Sequence, residues 1–152
     1  MKGTYPMPTP LQDDRSFLKL LLLSYVTLGI YGIWHLHHWT KDINTICKDD
    51  GKNNEGILLH FLLSLVTCGM FSVFWWFKAA DRLSRTGVRE SVAVDVPGGK
   101  VLGLYIAGML TFGAFTWYAQ YLVMQATNDL AVNYNSKYVY AKSVVDAARA
   151  EG

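Results

Sequence analysis

The chain has 152 residues, of which 51% are apolar and 14% aromatic, and its net charge is +2 at pH 7. This length allows one compact domain, and the apolar fraction is high for a soluble one. Beyond one short basic stripe, nothing in the sequence supports nucleic-acid binding. Cys47 and Cys68 lie in different settings, one after an apolar run and one inside a run, so we expect no intramolecular disulfide.

Three apolar runs decide the predicted class, and they cover Phe17–Trp34, Ile57–Phe77 and Val101–Met124. The first contains only Lys19 as a charged residue, and the other two contain no Asp, Glu, Lys or Arg. A bilayer core of about 30 Å needs roughly 20 apolar residues in a helix. We therefore expect an all-α integral membrane protein with three transmembrane helices and helical juxtamembrane extensions.

The polar segments divide the chain between these runs. The predicted parts are a disordered segment 1–15, repeat 1 at 16–48, a polar loop 49–56, repeat 2 at 57–86, a linker 87–100, a third span 101–126 and an amphipathic tail 127–152. No cleavage site of the small-x-small type follows the first run, so that run is expected to be an uncleaved anchor.

A Thr-x-Gly-x-aromatic motif occurs once in each run, as TLGIY, TCGMF and TFGAF. Small residues allow helix backbones to approach closely in lipid, so the motifs are predicted to be packing notches within the spans. The predicted packing residues are Thr27, Gly29, Gly32, Thr67, Gly69, Ser72, Gly103, Ala107 and Thr111.

Two alternatives for the motif stay open. Each glycine could free the backbone to form a hinge that lines a cavity. Each Thr-x-Gly could also be a turn, so that each repeat is a short hairpin entering one leaflet with its polar ends on one side. Since TLGIYG lacks the Asn, Pro or Gly pairs that tight turns prefer, continuous spans are preferred over hairpins.

The string SYVTLGIYGIWHLHHWTKDIN and its second copy resemble the domain-of-unknown-function 4234 family of small prokaryotic membrane proteins. The resemblance covers Leu20–Arg85, and Ser72 departs from it by replacing the second glycine of the motif. The matching positions of the first copy are Thr27, Gly29, Tyr31, Gly32, Trp34 and Asp42. The resemblance implies a membrane location and no particular activity.

Loop charges predict the orientation of the spans. The amino-terminal segment and the second loop together contain more Lys and Arg than the opposite side, which favours a cytoplasmic amino terminus in a multi-pass protein of a prokaryotic inner or plasma membrane. Lys78, Arg82, Arg85 and Arg89 recur at intervals of four, three and four, so they share one helix face. The preferred interpretation of this stripe is the positive charge that cytoplasmic segments of membrane proteins usually have. Docking to anionic lipid or to a partner is the alternative.

Four residues form a candidate metal or proton-sensing site. His35, His38 and Asp42 share a helix face, and His60 lies at the same level if the first two spans are antiparallel. Imidazole and carboxylate groups bind zinc or copper, and imidazole titrates near neutral pH. Histidine and tryptophan also occupy the interfacial belt of membrane proteins, so the ordinary interpretation is preferred.

No pattern in the sequence indicates catalysis, so we expect a non-catalytic scaffold or accessory subunit without a cofactor. Its expected partners are membrane lipids and either further copies of the chain or another membrane protein, with no nucleic acid. The first alternative is a homo-oligomeric pore or channel, with metal or pH sensing next. The predicted pore lining is Thr27, Thr67, Thr111, Thr116 and Gln120.

Overall fold

The computed structural model describes residues 8–150, and this part of the chain is all-helical. Seven α-helices follow one another, with short 3-10 and π segments between some of them. They are α1 (Phe17–Val26), α2 (Ile30–Ile46), α3 (Ile57–Val66), α4 (Met70–Glu90), α5 (Gly98–Leu110), α6 (Ala114–Tyr134) and α7 (Ala141–Ala150). The 3-10 segment is Lys48–Asp50 and the π segment is Asn135–Tyr140.

Each predicted span is broken in two at its Thr-x-Gly motif. The chain turns at Gly29, Gly69 and Gly113, so that α1–α2, α3–α4 and α5–α6 each form a helical hairpin. The first arms α1 and α3 have only ten residues each, which is about 15 Å of helix. The expectation of continuous transmembrane spans is wrong because a hydropathy window sums the apolar residues on both sides of a turn as though they belonged to one helix.

No helix in residues 8–150 is both long and apolar enough to cross a bilayer. This finding overturns the predicted integral, multi-pass architecture with three transmembrane helices. It also removes the support for a multi-pass location in an inner or plasma membrane, and for an orientation with the amino terminus in the cytoplasm.

The core is built from the three long second arms, α2, α4 and α6. Their buried side chains begin about six residues after each turn and continue toward the other end of the helix. Trp39 and Trp76 meet edge to face with 5.1 Å between ring centroids, and Leu83 and Met124 are fully buried. The hydrophobic core therefore lies at the end of the molecule away from the turns.

The segment before α1 is fixed to this core by polar contacts. Arg15 is 4% exposed, and its guanidinium pairs with Asp42 of α2. Asn128 of α6 donates its side-chain N–H to the Arg15 carbonyl at 2.9 Å. Asn135 holds Leu11 in the same way, with two 2.8 Å bonds between its amide and the Leu11 backbone. The last part of the predicted disordered segment 1–15 is therefore ordered, and residues 1–7 lie outside the described part.

Candidate functional site

The three Thr-x-Gly segments adopt the same backbone turn. Gly29, Gly69 and Gly113 have φ of +91°, +88° and +88°, a left-handed conformation that glycine adopts at little cost. The residue before each glycine is also left-handed, with φ between +50° and +53°. Each glycine N–H bonds to the carbonyl five residues earlier, at 2.6 to 2.8 Å. This bond closes the first arm as in a Schellman-type cap.

The threonine of the motif joins the two arms of its hairpin. Thr67 donates its hydroxyl proton to the Leu63 carbonyl at 2.7 Å and accepts the Phe71 N–H at 3.0 Å. Thr27 makes the same pair of bonds, and Thr111 donates to the Ala107 carbonyl at 3.0 Å. Because these hydroxyls are used inside the hairpin, they are poorly suited to line a pore.

Small residues lie where the two arms come closest. The position three residues after each glycine faces the position five residues before it, and Ser64 and Ser72 share a 2.8 Å hydroxyl bond there. A Cβ on Gly32 would be 2.9 Å from the Ser24 hydroxyl. The small residue is therefore needed for contact within one hairpin. By contrast, a Cβ added to Gly29, Gly69 or Gly103 would have no neighbour within 4 Å among the described residues, so a larger side chain at these predicted packing positions would meet no other helix of the described chain.

All three turns lie at the same end of the molecule. Gly32, Ser72 and Thr116, each three residues beyond its turn glycine, line one cavity. The residues seventeen beyond the glycines, Ile46, Thr86 and Leu130, meet around one crevice at the far side of the core. Residues at the same distance from their turn glycines therefore meet both at the cavity and at the crevice. Hence α2, α4 and α6 run parallel, and their turns point the same way.

The side chains around the turns are apolar and exposed to solvent. Leu28 is 94% exposed and Phe112 fully exposed. We call the following residues the turn end: Tyr25, Val26, Leu28, Ile30, Leu65, Val66, Cys68, Met70, Met109, Leu110 and Phe112. Exposed apolar side chains continue along the outer sides of the first arms, including Leu22, Leu58 and Ile106. A contiguous exposed apolar surface of this kind marks an interaction site.

Charged residues are excluded from a band next to the turn end. The windows 21–37, 61–77 and 105–121, each centred on a turn glycine, contain no Asp, Glu, Lys or Arg. The nearest charges are Lys78, nine residues beyond Gly69, and Lys19, ten residues before Gly29. At 1.5 Å per residue the uncharged band is about 14 Å deep. Exposed aromatic rings lie within it, namely Trp34, Trp117, Tyr118 and Tyr121.

A cavity of about 440 Å³ lies between the three hairpins. Its walls include Leu20, Leu36 and Phe61, and its inner end is formed by the buried indoles of Trp39 and Trp76. Within the described part of the chain, no Asp, Glu, Lys or Arg lines this space. The cavity is partly open to its surroundings, and Phe61 in its wall is 47% exposed.

Two buried histidines face this cavity. His35 and His60 are 4% and 5% exposed, and within residues 8–150 neither His35 Nε2 nor His60 Nδ1 has a hydrogen-bond partner. The other nitrogen of His60 lies 3.3 Å from the Ser72 hydroxyl. Burial lowers the pKa of His35 to about 4, so its ring is neutral at pH 7. Burial lowers the pKa of His60 as well.

The predicted metal site is not assembled. His35 and His60 line the cavity, whereas His38 is exposed and Asp42 pairs with Arg15. Across residues 8–150, no three His, Cys, Asp or Glu side chains form a group that could hold a metal ion.

The four cations of the basic stripe form ion pairs with carboxylates of the same chain. Arg82 is 4% exposed and donates to both Asp50 oxygens, to the side-chain oxygens of Asn44 and Asn54, and to the Lys52 carbonyl, at 2.6 to 3.2 Å. The other three cations also have partners, which are Glu55 for Lys78, Asp81 for Arg85, and Asp49 and Glu90 for Arg89. The stripe begins beyond the uncharged band and includes Arg82, which holds the polar loop 49–56 against α4.

Sequence reasoning did not identify Trp39, Trp76, Tyr105 or Trp117 as neighbours around one cavity. Equal spacing from the turn glycines could have found Tyr105 and Trp76, because the positions eight before and seven after each glycine line the cavity in all three hairpins. Trp39 and Trp117 lie at spacings that line the cavity in one hairpin each. Thr116 and Gln120, proposed from the sequence as pore-lining residues, face this cavity within a single chain, and Gln120 donates to the Tyr105 hydroxyl at 3.3 Å.

Residues 15–85 match the family model described as Domain of unknown function (DUF4234), which confirms the resemblance noted in the sequence. Comparison with curated proteins and with solved structures gave no significant match. The matched region begins at the buried Arg15 and includes the first two hairpins down to Arg85 of α4. Over these residues, which are just under half of the chain, the sequence is similar to the DUF4234 family.

Proposed function

We propose that this protein attaches to one leaflet of a lipid bilayer through its turn end and acts there as a non-catalytic scaffold or accessory subunit. The three hairpins enter the hydrocarbon from one side and do not cross it. The observation that carries the proposal is the parallel arrangement of three exposed apolar turns above a common uncharged band. The proposed binding partner of the turn end is therefore the hydrocarbon region of one leaflet.

The depth of the uncharged band supports a lipid partner. Half of a 30 Å hydrocarbon core is about 15 Å, which matches the roughly 14 Å from the turns to the first charges. Lys19 and Lys78 stand at that boundary, where amines can reach the headgroups. Hydroxyl groups of the turn threonines donate to their own helices, so the turns present few unsatisfied polar groups to the hydrocarbon.

The shape of the apolar surface favours lipid over a second protein. Leu22 of α1, Leu58 of α3 and Ile106 of α5 are more than half exposed and lie on first arms, so apolar surface continues from the turns down the sides of the hairpins. A protein partner would have to enclose each hairpin separately, whereas acyl chains surround any inserted shape. Burial of one large apolar side chain contributes about 1.5–3 kcal/mol, and the turn end contributes several such residues.

Vesicle flotation tests the proposal, with charges placed in the turns. Leu28, Cys68 and Phe112 stand between the Thr and the Gly of the three motifs. Their φ is near +50°, a conformation that Asp tolerates better than most residues. An Asp in hydrocarbon costs roughly 3 kcal/mol, so the triple variant L28D/C68D/F112D should bind vesicles at least about a hundredfold more weakly.

The matched control places three aspartates on exposed valines far from the turns, in the variant V88D/V144D/V145D. This variant should float with vesicles like the unmodified protein. The proposal is rejected if the unmodified protein does not bind vesicles and instead forms a defined oligomer that L28D/C68D/F112D dissociates. Equal loss of flotation in both triple variants would contradict it as well.

A further inference from the structure

The central cavity has a size suited to a ligand. Its volume of about 440 Å³ falls within the roughly 300–1,000 Å³ of small-molecule sites. Each of the three hairpins contributes to the lining, for example through Leu20, Phe61 and Trp117. Most of these side chains are apolar and close around the space from several sides, which suits a hydrocarbon chain.

Two polar atoms of the cavity lack partners within residues 8–150. His35 Nε2 and His60 Nδ1 are buried there without a hydrogen bond, and a buried group in this state is destabilising unless something else satisfies it. Tyr105 accepts from Gln120 and retains its own proton for donation. The cavity therefore offers two imidazole nitrogens and a phenol to a polar group that can both donate and accept.

The charge of the site limits the ligand. No Asp, Glu, Lys or Arg among the described residues lines the cavity, and a charged headgroup would be desolvated there without a counterion. We infer that the cavity binds a single-chain amphiphile with an uncharged hydrogen-bonding head, its head between His35 and His60 and its chain directed toward the turn end. This inference rests on the proposed function only for the route of entry, which would be the leaflet.

The test uses the full chain kept in solution by an amphipathic polymer, so that it does not depend on attachment to a bilayer. The probe is 1-monododecanoylglycerol, and dodecanoate is the charged molecule of equal chain length. The readout is the imidazole ¹⁵N chemical shifts of His35 and His60 during titration. We expect saturable shifts at both rings with the glyceride at one molecule per chain, and none with dodecanoate.

Two variants separate the site from general hydrophobic binding. Leu21 lines the cavity, whereas its neighbour Leu22 is 58% exposed and does not. Leu21→Trp should abolish the shifts, and Leu22→Trp should leave them unchanged. His35→Leu removes an unpartnered buried nitrogen, so it should fold at least as well while binding the glyceride about five- to tenfold more weakly.

The inference is overturned if the glyceride causes no shift, if dodecanoate binds equally well, or if Leu21→Trp retains binding while folded. Should Leu21→Trp fail to fold, unchanged affinity in His35→Leu would overturn it. Failure of this titration together with normal vesicle flotation would remove the ligand site and leave leaflet attachment standing. Failure of vesicle flotation together with a positive titration would remove leaflet attachment and leave the ligand site standing.

Discussion

The indole nitrogen of Trp39 donates a 2.9 Å hydrogen bond to the hydroxyl of Thr127. The two residues are 88 positions apart in sequence and join the first hairpin to the third. The Thr127 hydroxyl in turn donates a 2.8 Å hydrogen bond to the Val123 carbonyl, so it both accepts and donates within the core. This contact helps to hold α2 and α6 parallel, with their turns at the same end.

Thr127→Val should lower the free energy of unfolding by about 1–3 kcal/mol. The substitution keeps the volume of the side chain but leaves the buried Trp39 N–H without an acceptor. Thr45→Val is the control, because that hydroxyl makes the same bond to a carbonyl four residues back at an exposed site. It should change stability by less than about 0.5 kcal/mol. Urea unfolding of both variants measures the difference, and equal effects would argue against the contact as a tie between hairpins.

Gly69→Ala should cost about 1–2 kcal/mol although a Cβ there would meet no neighbour within 4 Å. The cost comes from φ of +88°, which a residue with a Cβ adopts unfavourably. Gly103→Ala is the control, since Gly103 lies within α5 and also has open space around it. It should stabilise by about 0.5–1 kcal/mol because alanine favours the helix. Destabilisation by Gly103→Ala in thermal unfolding would contradict this account and support the predicted role of Gly103 in packing.

Arg82→Gln should destabilise the protein by about 3–5 kcal/mol, since it breaks a buried network with Asp50, Asn44 and Asn54. Arg85→Gln is the matched change on the same helix, at a side chain that is 74% exposed. It should change stability by no more than about 1 kcal/mol. Comparable losses of urea resistance in the two variants would mean that Arg82 does not anchor the loop.

Stability should fall as the pH is lowered from about 6.5 toward about 4. Burial lowers the pKa of His35 to about 4, and the charges of Arg15 and His38 act in the same direction. Because the unfolded chain binds this proton more readily than the folded one, protons favour unfolding in that range. His60 contributes in the same direction, although Glu55 opposes its shift. His35→Leu should therefore flatten the dependence of the urea midpoint between pH 7 and 4.5, and an unchanged slope would contradict this account.

The helical class and the three apolar segments could be predicted from periodicity and hydropathy, because these depend on local composition. The turns could not, since TLGIYG resembles a continuous apolar helix until the left-handed φ of Leu28 and Gly29 is known. The informative signal was the combination of Thr and Gly at fixed spacing. Its physical basis is the threonine hydroxyl that joins both arms, as Thr67 does between Leu63 and Phe71.

The candidate site was harder to predict because its residues come from three hairpins. His35 and His60 were singled out as candidate metal ligands together with His38 and Asp42, and Asp42 was included on helical spacing alone. The structure uses Asp42 to neutralise Arg15, a long-range pair that no local pattern indicates. Similarly, the spacing of the basic stripe identified one face of α4, while the burial of Arg82 depends on a loop that precedes it by about thirty residues.

The depth of Cys68 in a bilayer tests the central claim most directly. This thiol is exposed in the second turn, whereas Cys47 is fully buried, so a maleimide fluorophore should label Cys68 selectively. Bound to vesicles, the label should be quenched more by a nitroxide placed deep on the acyl chains than by one near the headgroups, and it should stay inaccessible to a quencher inside the vesicle. A label introduced by Ser143→Cys, with Cys68 replaced by Ser, should be quenched by neither nitroxide. Quenching of the Cys68 label from the vesicle interior would show crossing, and no quenching by either nitroxide would show that the turns do not enter the leaflet.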